Sequence, residues 1–179
     1  MFVFSNRQFI ENLRGQVNIF DKSIQYLNNK QNNITYEFIY NLHEALKNGQ
    51  SFVISRIDEI KVWKLTSSDT FVQGERSTEP RKQIYLTFMN GYNQLLKSAI
   101  ADISKMIPNT KTDKTILKKL LPDSVKTQII DKFLFYDSEC KKLVKEAEIN
   151  IMVDDYRLNP ENDKNLLIRK TEPTPKNPE

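Results

Sequence analysis

An all-α protein is what this sequence predicts: an up-and-down bundle of four to six helices carrying an extended C-terminal arm. Three observations carry that prediction. Only four of the 179 residues are glycine while 28% are charged and 39% apolar, a balance typical of helices joined by short connections. Apolar residues recur at alternating steps of three and four along most of the chain, the spacing of one helix face. Four of the seven prolines, Pro160, Pro173, Pro175 and Pro178, fall in the final twenty residues, where apolar side chains are scarce. The chain therefore divides into a helical bundle domain, 1–158, and a proline-rich arm, 159–179.

The first helix is announced by Ser5 and Gln8 at capping-box spacing, with Phe4 and Phe9 placed to clamp the first turn. From there Ile10, Leu13, Val17, Phe20, Ile24 and Leu27 form a narrow seam with the alternation of a short coiled coil. Burying six such side chains contributes at most on the order of 10 kcal/mol, so the helix docks on something, either its own chain or another copy. Gly15 lies off the seam. The polar run 28–33 reads as a connection. Phe38, Ile39, Leu42, Ala45 and Leu46 then mark a short second helix that Gly49 closes. Between Ser51 and Leu65 a helix is the favoured reading, although Ile60 to Leu65 also alternates as a strand does. Residues 66–78 form the longest internal loop, with Phe71 and Val72 placed to fold back onto the core.

Pro80 and Pro108 bracket the stretch around which the rest is organised. Ile84, Tyr85, Leu86, Phe88, Met89, Tyr92, Leu95, Leu96, Ala99, Ile100, Ile103 and Met106 cover more than one face, as expected of a central helix surrounded by partners. Gly91 and Ser98, seven apart on one face, leave room for a neighbour to approach. A short helix carrying Ile116, Leu117, Leu120 and Leu121 stops at Pro122, and Asp123 caps a last long helix. Its stripe is Ile129, Phe133, Tyr136, Cys140, Leu143 and Ala147, with Ile149, Ile151 and Val153 alternating as a strand would near its end.

The net charge of +4 is local. Lys105, Lys111, Lys114, Lys118 and Lys119 against Asp113, five minus one, account for all of it. Five cations support a log-log salt slope of at most about −4.5, enough for weak sequence-independent nucleic-acid binding through Lys111, Lys114, Lys118 and Lys119. No arginine for base readout and no aromatic for stacking accompanies them.

Other chemistry is bounded by what is missing from the letters. No two glycines are close enough for a phosphate-cradling loop. His43, the only histidine, reads as a surface or core-edge residue, and Cys140, the only cysteine, as a core residue. Asp58-Glu59 and Asp154-Asp155 are adjacent, diverge by roughly 100° on a helix, and read as solvated charge. No catalytic, cofactor-binding or metal-ligating residue is expected. With no signal-like start and no run of 18 apolar residues, the expected location is the cytoplasm or a virion, without a membrane partner.

The expectation is a non-enzymatic structural or adaptor subunit whose partners are protein chains, a second copy or other subunits. Leu166, Leu167 and Ile168 are the anchor of its arm. In layout it resembles the ring-forming helical adaptors that join head and tail in tailed viruses, whose C-terminal arms grip the neighbouring ring. The alternative is a basic nucleic-acid-binding accessory or regulatory protein acting through the Lys105–Lys119 patch.

Overall fold

The computed structural model describes residues 11, 13–15, 17–29, 33–62, 79–108 and 114–158. Four helices are delimited there: α1 (Ile19–Asn28), α2 (Tyr36–Lys61), α3 (Glu79–Met106) and α4 (Asp123–Leu158), with a 3₁₀ turn at Lys114–Lys118. The prolines mark α3 as expected. Each long helix packs on the next along the row α1, α4, α3, α2, and the 3₁₀ turn packs on α2. Among the described residues the only pairing of β type is one bridge between Thr35 and Leu120.

The seam of the first helix is buried at Leu13, Val17, Phe20, Ile24 and Leu27, with helical backbone on both sides of a turn at Asn18. It docks on α4. Phe20 meets the Phe133 ring edge-on at 5.0 Å and lies 5.5 Å from Tyr136, which fixes the rotation of α1 against α4. Lower down, Tyr26 of α1 stacks on Phe38 of α2 at 4.8 Å. The capping residues proposed at 4–9, and Ile10, lie outside the described residues.

Two expected boundaries change. Gly49 does not close α2; the helix runs through it to Lys61, with Leu46 and Val53 fully buried on either side. A helical glycine costs only about 1 kcal/mol relative to alanine, less than the burial gained by Val53, Ile57 and Ile60 beyond it. The favoured helical reading after Ser51 therefore holds as far as Lys61. The short helix before Pro122 is instead a 3₁₀ turn, because the chain that follows it is drawn into backbone pairing. The Tyr36 amide donates to the Lys119 carbonyl at 3.0 Å and the Leu121 amide to the Ile34 carbonyl at 2.8 Å. The Pro122 carbonyl then accepts from Val125 and Lys126, both at 3.1 Å, and starts α4.

The α4 stripe is buried at Ile129, Phe133, Tyr136, Cys140 and Ala147, and the helix keeps its form through Ile149–Val153. On α3 the anticipated close approach is at Gly91: a Cβ there would lie 3.0 Å from Leu143 Cδ1 of α4. Ser98, on the same strip, is exposed. Phe71, Val72 and the arm 159–179 lie outside the described residues. No described helix is long and apolar enough to cross a membrane.

Candidate functional site

The residues singled out in the sequence are dispersed. Lys118 and Lys119 are exposed at the end of the 3₁₀ turn, on backbone pinned to 34–36 by the bonds just described. Lys105 is exposed in the last turn of α3. Lys114 opens the 3₁₀ turn, while Lys111 and the Leu166, Leu167 and Ile168 anchor fall outside the described residues. Leu120, beside the two lysines, is 65% exposed.

His43 lies at the α2–α3 seam, with Nε2 2.8 Å from the Ser104 hydroxyl. Partial burial, and secondarily Lys47, hold its pKa below the usual 6.5, so the ring is neutral near pH 7. A neutral imidazole on a hydroxyl has the geometry of a base and a nucleophile. A working pair also needs a group to orient the base and donors for the developing oxyanion, and neither accompanies this contact among the described residues. The contact joins two helices, and nearby the Tyr40 hydroxyl of α2 donates to the Pro108 carbonyl, just beyond the end of α3, at 2.7 Å.

The carboxylates divide. Asp58 is exposed and Glu59 pairs with Arg56 at 2.7 Å. Asp154, expected to be solvated, is instead buried, its carboxylate 3.0 Å from Arg81 Nε across the α3–α4 seam. Its position in the series Ala147, Ile151, Asp154 turns it inward. Asp102 of α3 accepts a short hydrogen bond from the Tyr136 hydroxyl of α4. Burial and that bond raise the tyrosine pKa well above its usual range. No group of three His, Cys, Asp or Glu side chains among the described residues could hold a metal ion. Cys140 is fully buried and its thiol is pushed up to about 12, chiefly by burial and then by Asp137 and Glu139.

Two exposed apolar features stand out among the described residues. A groove of about 310 Å³ opens where α1 and α2 diverge, lined by Ile19, Ala45, Gly49, Phe52, Tyr92 and Leu96 among others. On the outward side of α4, Phe135, Ile149 and Val153 are each about half exposed, as is Leu134. The sequence reading missed this outer strip because Ile149, Ile151 and Val153 also alternate as a strand would near the end of the last helix. The signal was the spacing of Ile149 and Val153 from Phe135, in steps of fourteen and four, which is helical.

No protein-family model, curated protein or solved structure matches this chain.

Proposed function

We propose that this chain is a non-enzymatic helical subunit that acts by packing against other protein chains, with the bundle as its body and 159–179 as a strap anchored by Leu166, Leu167 and Ile168. The observation that carries this reading is the gathering of large apolar side chains outside the core. Phe135, Ile149 and Val153 share the outward side of α4 and are each about half exposed, although the core already holds a full set of apolar stripes. Apolar surface collected on helix faces is the usual mark of a protein interface. Such a subunit has the layout of a head–tail adaptor.

The test is light scattering after gel filtration, joined with affinity capture from the native source by the full chain. A stable assembly, or a stoichiometric protein partner, is the expected result; a monomer that retains no protein would defeat the reading. The second reading, a basic nucleic-acid-binding accessory, is favoured by one observation: Lys118 and Lys119 project from a backbone ledge held by hydrogen bonds to residues 34 and 36.

A further inference from the structure

The outward strip of α4 has an order that its exposure alone does not convey. At roughly 100° per residue, Phe135, Glu139, Lys142, Glu146, Ile149 and Val153 fall within about 80° of one another, on the side turned away from the core stripe. Phe135 is 58%, Ile149 49% and Val153 51% exposed, and Lys142 and Glu146 are exposed between them. The strip therefore has an apolar residue at one end, two at the other, and opposite charges at its centre. Beside it on α3 runs Thr87, Gln94, Ser98 and Ala101, all exposed and uncharged, in register with the Gly91 that meets Leu143.

We propose that this face joins two copies of the chain, α4 against α4 and antiparallel, about a two-fold axis level with Val144. This deepens the packing-subunit reading and rests on it. Turned end for end about that level, the strip complements itself at its apolar ends and at its charged centre. Phe135 lies opposite Val153 of the second copy, Glu139 opposite Ile149, and Lys142 opposite Glu146, and each pairing occurs twice, as an isologous contact requires. A parallel pairing would set Lys142 against Lys142 and Glu146 against Glu146, so the charges select the antiparallel arrangement. Among the described residues the Glu146 carboxylate makes no ion pair, while Lys142 reaches only Glu139, at 3.3 Å on the exposed surface of its own helix. From Phe135 to Val153 the contact runs about 27 Å, five helical turns.

The experiment is sedimentation equilibrium on the full chain with charge-exchange variants. Wild type is expected to be a dimer. Lys142→Glu alone and Glu146→Lys alone each place like charges together twice and are expected to weaken dimerisation about tenfold or more. The double variant restores opposite charges and dimerisation. All three should keep the wild-type circular dichroism, because both side chains are exposed. Phe135→Glu should yield a folded monomer. A wild type that stays monomeric overturns the proposal. So does self-association indifferent to both single exchanges, which would leave the packing-subunit reading intact but on another surface. A monomer that also captures no partner would remove that reading as well.

Discussion

Arg81 and Asp154 meet across the α3–α4 seam, Nε to Oδ2 at 3.0 Å, with the side chains 12% and 3% exposed. They lie near the first turn of α3 and the last turns of α4, so the pair ties together the ends of two helices 73 residues apart in sequence. Removing one partner of a buried pair leaves a desolvated charge, whereas replacing both with apolar groups is often tolerated. Asp154→Ala is therefore expected to lower unfolding free energy by roughly 3 kcal/mol, and Arg81→Met with Asp154→Leu to recover most of it. Urea denaturation of the two variants beside wild type checks this, with a double-variant loss as large as the single one as the contrary result.

Cys140, Tyr92 and Tyr136 make a related expectation about alkali. Burial raises the pKa of all three, the thiol from 9.0 to about 12. The folded state thus favours their protonated forms, and the unfolded chain loses protons first. Their contribution is complete below the ordinary values of these groups and is lost as pH rises through the folded ones, so stability should fall between about pH 9 and 12. Cys140→Ala should reduce that slope. In the native protein the thiol should resist a disulfide reagent at pH 8 and react fully in urea.

Much of the fold could be read in the letters because it is periodic. Leu13 to Leu27 and Ile129 to Ala147 each repeat at helical steps, and the core uses those faces. What stayed hidden depended on distant partners. Asp154 reads as surface charge until Arg81 is known to face it, and nothing within a helical turn identifies that arginine. Gly49 reads as a stop because local propensity is all a window contains, while Val53, Ile57 and Ile60 hold the helix together from beyond it. The candidate interface was partly visible: Ile149 and Val153 stood out, but as a strand-like alternation at the end of the last helix, apart from Phe135.

The glycines sort by their surroundings. A Cβ at Gly49 or Gly15 would meet nothing within 4 Å, so alanine at either adds helix propensity without a clash. Each substitution should stabilise by roughly 0.5–1 kcal/mol. Gly91 differs, because its Cβ would press the Leu143 Cδ1 methyl at 3.0 Å. There alanine should be close to neutral as the leucine end shifts, and valine should destabilise by about 1–3 kcal/mol. Thermal melts of the four variants separate these outcomes.

Ending the chain at Asn159 tests the division into body and strap. The described core closes within residues 13–151, so the shortened protein should keep its helical circular dichroism and its melting temperature within a few degrees. Capture of the native partner should weaken, and Leu166→Ser with Leu167→Ser and Ile168→Ser should reproduce that loss in the full chain. A shortened chain that unfolds would mean that the terminus completes the body.

The basic ledge allows a last discrimination. Any duplex affinity of this chain should be indifferent to sequence, because Lys118 and Lys119 offer point charges to phosphate and no planar group to a base edge. It should fall steeply with salt. Converting Lys111, Lys114, Lys118 and Lys119 to alanine should abolish it, reducing the log-log salt slope by up to about 3.6. Because Lys118 and Lys119 are exposed and their backbone bonds do not involve the side chains, the variant should melt like wild type. Fluorescence anisotropy on a labelled duplex, repeated across a salt series, measures both quantities. Binding that survives the four substitutions would exclude the ledge as a nucleic-acid site.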